Sequence, residues 1–413
     1  MSAPARRPGS LLLAAGVVAV EFAAAVTSFV ASTLLPVIAG DLGARDRLGL
    51  LIAGSTLGLF VALPLASRVL AGLGTRGTLA AGTLAYAGGL AVAATARTAW
   101  VFALGQLSTG LASGLLAVFG IGSAIRHLDE RLRRRVVAAS SAMWILPALA
   151  GPAATLGLAH LAGWRWTLLA PVPFVLFGRL LVVRAAGDEP EAPPRPLGRT
   201  LLVPLGAAGV VLSEGWWPLA VLGAVVAGAG TMAILPAGTA CLRRGTPAAL
   251  AAMVLFAVGY FGADSLVTVL LTAGYGVSLG QAAIVLSAAP LGWALTSLAV
   301  ARSPRRFSAA GLALTAAGTA VLAFGGSFGV ALAAWAVAGI GVGLAYPGLY
   351  VRATTTGPAY SATELATAVI TAECVGQLLG RALGGALSSA GGLFAAYGVF
   401  AVALAAAALV SRR

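Results

Sequence analysis

Residues 151–173 read Gly-Pro-Ala-Ala-Thr-Leu-Gly-Leu-Ala-His-Leu-Ala-Gly-Trp-Arg-Trp-Thr-Leu-Leu-Ala-Pro-Val-Pro. One apolar run ends near His160, a short turn carries one charge at Arg165, and a second apolar run begins at Thr167. An α-helix needs about 20 apolar residues to cross a bilayer. The same unit repeats in both directions. Apolar spans cover 11–38, 48–67, 78–96, 100–124, 136–160, 167–183, 200–213, 217–237, 248–272, 280–301, 307–325, 328–350, 361–388 and 391–410. The seventh is the weakest, being short with Pro204 early in it. The 413 residues are 60% hydrophobic and 9% charged, with a mean hydropathy of +0.98. A soluble globular chain carries roughly a quarter charged residues. The expectation is an all-α polytopic membrane protein with about 14 transmembrane helices.

The charges orient it. All 26 basic residues are arginine. With the N-terminus inside, 21 of them fall in inside gaps or at inside ends. These include Arg6, Arg7, Arg68, Arg76, Arg126, Arg179, Arg243, Arg244, Arg302, Arg352, Arg412, Arg413 and the run Arg131, Arg133, Arg134, Arg135. Only Arg45, Arg47, Arg97 and Arg165 fall outside, and Arg381 lies within a span. This asymmetry follows the positive-inside rule and predicts a multi-pass protein of the cell inner (plasma) membrane with both termini cytoplasmic. It also supports the span count, because omitting the pair at 200–237 would strand about thirty apolar residues in the cytoplasm. The formal charge of +14 does not point to nucleic acid, since the arginines form no patch or stripe. The arginine run reads as a topology anchor against anionic lipid. Cys241 falls in an inside loop and Cys374 in a span, so no disulfide is expected. Arg6-Arg7 before an apolar run resembles a signal peptide, but Glu21 within it and thirteen later spans favour a retained first helix.

The chain is organised as an N-terminal six-helix half (1–183), a cytoplasmic linker (184–199), an inserted helix pair with its loop (200–247) and a C-terminal six-helix half (248–413). The linker holds Asp188, Glu189, Glu191 and four prolines, the composition of a solvated strap. The halves echo each other. Gly110-Leu-Ala-Ser-Gly114-Leu115 matches Gly339-Ile-Gly-Val-Gly343-Leu344 at an offset of 229 residues, and Gly58 and Gly292, each ten residues before an arginine, match at 234. Two pseudo-symmetric bundles with a site at their interface are the architecture of many secondary transporters.

Gly151-Pro152, then Gly163-Trp164-Arg165-Trp166, then Pro171-Val-Pro173 resemble the fifth and sixth helices of the major facilitator superfamily. Leu34-Leu35-Pro36-Val-Ile38 with Asp41-Leu42 is similar to the same group, most like its drug/proton antiporters. The inserted pair, with Gly215-Trp216-Trp217-Pro218 at its turn, looks like the fourteen-span branch. The resemblance covers essentially the whole chain. It implies a monomeric transporter working by alternating access, with Gly151 and Pro152 as a pivot. Ordinary small-residue packing explains those two residues as well, since glycine lets helices approach and proline bends them. The loop Ala71-Gly72-Leu73-Gly74-Thr75-Arg76 aligns with the superfamily's conformational latch, keeping Gly74 and Arg76 but lacking its acid and first arginine. Gln106 stands where the resemblance expects an arginine linked to proton handling, Thr27 where it expects an acid, and Pro147 and Thr155 where it expects glycines.

Ionisable groups inside spans are costly, by about 2.5–3.5 kcal/mol on insertion scales, and mark function by default. Glu21 lies in the first span, Asp264 in the ninth, and Glu373 and Arg381 in the thirteenth. A membrane carboxyl that exchanges its proton between the two sides, and binds a cationic substrate in competition, gives antiport. Glu21, Asp264 and Glu373 are therefore candidate proton-coupling residues, with structural acids as the other reading. Glu373, Gln377 and Arg381 recur every four residues on one stripe, beside Gly376, Gly380 and Gly384. That stripe either faces the substrate path or packs as a buried network. Phe256, Tyr260, Trp335, Tyr346 and Tyr350 are candidates for stacking on a ligand, or are packing residues. Gln106, Asp264, Gln377 and Arg381 complete the expected substrate-binding set. His160 reads as an interfacial bystander.

The expected partners are a small-molecule substrate, protons and the lipid bilayer. No cofactor or metal is expected, and no phosphate loop, metal cluster or nucleophile–base pair points to an enzyme. Proton-coupled efflux of a small amphipathic compound is the leading expectation. An importer or carrier of a polar anion, motivated by Arg381, and a non-transporting scaffold or sensor, motivated by the eroded latch, are the rivals.

Overall fold

The computed structural model describes residues 8–44, 48–143, 145–185, 197–213, 216–301, 307–357, 360–389 and 392–413. Residues 186–196 of the expected linker, Arg6, Arg7, Arg45, Arg47, Gly215, Arg302, Arg305 and Arg306 lie outside it, as does the Pro152 side chain. The described residues are helical and contain no strand. The helices are α1 (Pro8–Asp41), α2 (Leu48–Ala94), α3 (Ala99–His127), α4 (Glu130–Met143), α5 (Ile145–Leu168), α6 (Val172–Ala185), α7 (Leu202–Val211) and α8 (Trp217–Ile234). They continue as α9 (Thr246–Val269), α10 (Leu279–Val300), α11 (Ser308–Phe324), α12 (Phe328–Ala353), α13 (Ala362–Ser389) and α14 (Leu393–Val410).

Local chemistry sets the helix ends. Thr98 caps α3 by accepting from the Val101 amide at 3.4 Å. Ser278 and Gln281 form a capping box at the start of α10. Gly74 takes φ 65° inside α2, a left-handed conformation that glycine adopts without strain, and divides the helix into two legs. Those legs are the expected second and third spans.

Among the described residues, eight helices are long and apolar enough to cross a membrane. They number nine if the pair 154–168 and 172–183, bent by 53°, counts as one span. This is fewer than the fourteen spans expected, and local features account for part of the difference. The two legs of α2, joined at the Gly74 kink, count together as one of the eight. α7 and α11 are short, at 10 and 17 residues. The start of the expected fifth span is occupied by the arginine-rich α4. Large apolar side chains point outward along the helices, as at Leu161 (84% exposed), Phe324 (82%) and Val402 (69%). In water such surface is a liability; in hydrocarbon it is the solvated face.

Two compact units form. The first comprises Met1–Val136, Leu146–Pro204 and Thr356–Thr367, the second Val137–Ile145, Leu205–Thr355 and Ala368–Arg413. In the first, α3 packs against both legs of α2, and α1 lies along α6. Leu34, Ile38, Leu90, Phe102 and Leu168 form part of its core. In the second, α12 packs between α10 and α11, and α14 against α9 and α11.

The repeated glycines mark a repeated crossing. A Cβ on Gly110 would lie 2.0 Å from Ser55 O, and one on Gly58 would lie 2.1 Å from Leu107 O, so α3 and the first leg of α2 meet backbone to backbone. In the second unit, a Cβ on Gly339 would lie 2.1 Å from Ala289 O, and one on Gly292 would lie 3.0 Å from Ala336 O. Ala289 and Ala336 are Ser55 and Leu107 carried through the offsets of 234 and 229 residues. The weak sequence echo therefore corresponds to one helix crossing built twice, α2 on α3 and α10 on α12.

Candidate substrate and proton site

The second unit gathers most of the expected substrate residues. Phe256, Tyr260 and Asp264 sit at i, i+4 and i+8 of α9, on one face. Phe256 and Tyr260 stack with centroids 5.7 Å apart, and Tyr260 stacks on Trp335 of α12 at 5.5 Å with rings 6° from parallel. Trp293 of α10 stands nearly perpendicular to Phe256 and Tyr260, at 6.2 and 5.6 Å. Tyr346 closes the cluster, 5.1 Å from Trp293 and 6.0 Å from Phe256, and Tyr350 lies 5.8 Å beyond it. Phe256, Tyr260 and Trp335 are fully buried.

Polar atoms punctuate this apolar box. The Tyr346 hydroxyl donates to Glu373 Oε1. The indole N–H groups of Trp293 and Trp335 are buried and have no acceptor among the described residues. A buried donor left unpaired costs about 1–3 kcal/mol, so such groups need explanation. Trp293 and its neighbour Phe261 were not singled out from sequence. The available signal was Trp293's place directly after Gly292, at the repeated crossing.

α13 reaches the cluster through its glycines. Cβ atoms at Gly376 and Gly380 would lie 2.6 Å from Ala257 Cβ and 2.4 Å from Val258 O, so the glycine stripe packs on α9. The neighbouring stripe carries Glu373 to the aromatic rings. Gln377 is half-buried one turn on, and Arg381 is exposed, close enough for its charge to act on Asp264. Tyr397 supports that end by donating to Ala263 O at 2.9 Å.

The other expected residues lie in the first unit. Gln106 is 3% exposed, and its Nε2 has no partner among the described residues. Thr27, at the position expected to be acidic, hydrogen-bonds Tyr86. Glu21 is half-buried and lines a crevice with Arg179. A Cβ on Gly151 would lie 3.3 Å from Phe29 Cβ on α1, a close helix approach. Gly74 and Arg76 are exposed at the α2 break.

Two sequence signatures meet in a clasp. Asp41, ending α1, pairs with Arg165 at 2.8 Å and accepts from Trp164 Nε1 at 3.2 Å. Arg165 also donates to Ala96 O at 3.3 Å and lies 4.3 Å from the centre of the Trp164 ring. Gly163, at φ 80°, turns the chain so that both side chains reach Asp41.

Comparison with known proteins bears on identity. The Major Facilitator Superfamily model matches residues 17–302. A "Probable multidrug-efflux transporter" of Mycobacterium tuberculosis is 29% identical over 213 residues, 50% of this chain and 45% of that protein. The acurin A biosynthesis cluster MFS-type transporter of Aspergillus aculeatus is 26% identical over 215 residues, 50% of this chain and 38% of that one. The chain thus aligns with less than half the length of these relatives. The human organic anion transporter MFSD10 superposes with a TM-score of 0.77 at 17% identity, covering 98% of this chain and 100% of that one. The E. coli fucose:proton symporter superposes at 0.70 with 16% identity, covering 98% of each. A family match over more than half the sequence, on a helical fold shared with solved members, means that this chain belongs to the major facilitator superfamily.

Proposed function

We propose that this transporter carries out proton-coupled export of a small amphipathic compound, with substrate and proton handled at the aromatic–carboxylate cluster of the second unit. The observation that carries the reading is the Tyr346–Glu373 hydrogen bond at the edge of a buried ring cluster. Rings give an amphipathic ligand apolar faces, and a carboxylate among them attracts a cationic group. A carboxyl that accepts a proton loses that attraction, so proton and substrate compete for Glu373. Asp264, two turns beyond Phe256 on α9, is the second acid of the site, with Arg381 near it. Export is supported by the likeness to the mycobacterial protein named for multidrug efflux. The reading includes fourteen spans, a plasma-membrane location, both termini cytoplasmic, and rocking of two halves pivoting near Gly151 and Pro152.

The test uses purified full-length protein in liposomes with an internal pH dye, an imposed pH gradient and a panel of lipophilic cations, neutral drugs and organic anions. Substrate-dependent proton release, lost in Glu373→Gln and Asp264→Asn, is the expected result. Active protein whose proton movement survives both substitutions removes the cluster from the coupling. Folded protein with no flux for any compound points to a scaffold or sensor. A second reading, carriage of an organic anion, is favoured by Arg381 and by the two indole N–H donors without acceptors. Competition by anions, and not by cations, would select it.

A further inference from the structure

The first unit holds a crevice bounded by α1, the second leg of α2, α3 and α6. Among the described residues, its walls are apolar except for Glu21 on α1 and Arg179 on α6. The second leg of α2 contributes Leu79, and α3 contributes Leu116, Phe119 and Gly120, so neither brings a charge to it. α1 and α6 run antiparallel there, since a Cβ on Gly16 would meet Val182 N at 3.0 Å and one on Gly178 would meet Val20 N at 3.1 Å. The crevice therefore lies toward the face where α1 begins and α6 ends. Arg179 is six residues from the end of α6, about 9 Å along the axis. It makes no hydrogen bond or ion pair among the described residues, although an acid lines the same crevice. The space accommodates about one or two water molecules, too little for an organic ligand.

We infer that this crevice is a hydrated proton port, in which water bridges Glu21 and Arg179 and carries the Glu21 proton to the face where α6 ends. In the step, the O–H bond of the protonated Glu21 breaks and the proton passes to crevice water and on to bulk. The electron pair stays on the carboxylate, whose charge the Arg179 guanidinium offsets through the bridging water. Arg179 is a positioning residue: it holds the water and balances the ionised acid. A guanidinium drawn into the inside end of an apolar span, with no partner among the described residues, is costly, and a bridging water to an acid offsets that cost. The inference rests on the proton-coupled reading but uses a site distinct from the aromatic cluster.

Gly120 provides the test, because a Cβ there meets nothing closer than Val17 Cγ2 at 4.0 Å. Gly120→Leu fills the crevice without a backbone clash. In full-length protein reconstituted with the pH dye, Gly120→Leu, Arg179→Gln and Glu21→Gln are each expected to slow substrate-driven proton release roughly tenfold or more. Arg179→Lys and Gly120→Ala should retain it, and substrate affinity should stay within about twofold in all five, reporting an intact fold and cluster. Proton release at the wild-type rate in both Gly120→Leu and Arg179→Gln overturns the port. Unchanged release in Glu21→Gln, with loss in Glu373→Gln, overturns the port while leaving the proposed function standing. Wild-type vesicles that release no protons with any compound overturn both.

Discussion

At the residue scale, the decisive contact is one phenol on one carboxylate. Tyr346→Phe keeps the ring and deletes the donor to Glu373. A hydrogen bond to a charged group is worth about 1.5–3 kcal/mol. Tyr346→Phe is therefore expected to lower the melting temperature in detergent by the equivalent of about 1.5–3 kcal/mol, and to lower proton-coupled flux in liposomes. Trp335→Ala differs in kind. Trp335 is fully buried and stacked on Tyr260, so truncation opens a cavity costing about 3–5 kcal/mol. A clear drop in melting temperature is expected, and an unchanged one would mean that the ring cluster is loosely packed. The sequence offered Phe256, Tyr260, Trp335, Tyr346 and Glu373 as separate candidates. That they converge, and that Trp293 joins them, depends on how four helices are rotated, which no local pattern encodes.

At the element scale, glycine decides where helices meet. Gly110→Ala places a Cβ 2.0 Å from Ser55 O, and Gly339→Ala places one 2.1 Å from Ala289 O. Both require backbone to shift, so both are expected to destabilise the fold. Gly88→Ala, with nothing within 4 Å of its Cβ, should raise stability by about 0.5–1 kcal/mol through the lower entropy cost of helical alanine. Thermal melts of the three variants side by side check this. The clasp at the end of α1 is a different element. Asp41 and Arg165 are each 43% exposed, so their ion pair alone contributes at most about 1 kcal/mol. Arg165→Ala should cost more than Asp41→Asn, because Arg165 also holds Ala96 O and the Trp164 ring. Equal losses in a double-mutant cycle would reduce the clasp to the ion pair.

At the scale of the whole molecule, the arginine asymmetry predicts which loops face the cytoplasm. Cys241 is exposed after α8, and Cys374 is half-buried within α13. A membrane-impermeant thiol reagent should label Cys241 in inside-out vesicles and leave right-side-out vesicles unlabelled. Labelling from the opposite side would reverse the proposed orientation.

What the sequence determined by itself is what composition and local spacing carry. The apolar runs and the scarcity of charge define a membrane protein, because each apolar run must satisfy its backbone within a helix. Capping residues and Gly74 place helix ends and the α2 break, because those conformations are settled by a few neighbouring residues. The repeated glycines at 58, 110, 292 and 339 were legible because close crossing admits no side chain at those positions. Only the tertiary structure decided which face each acid presents. Glu373 reaches Tyr346, Asp41 reaches Arg165 far along the chain, and Glu21 shares a crevice with Arg179. Helix rotation and depth are fixed by packing among distant segments, and a polar residue in an apolar span reads the same from either face until that packing is complete.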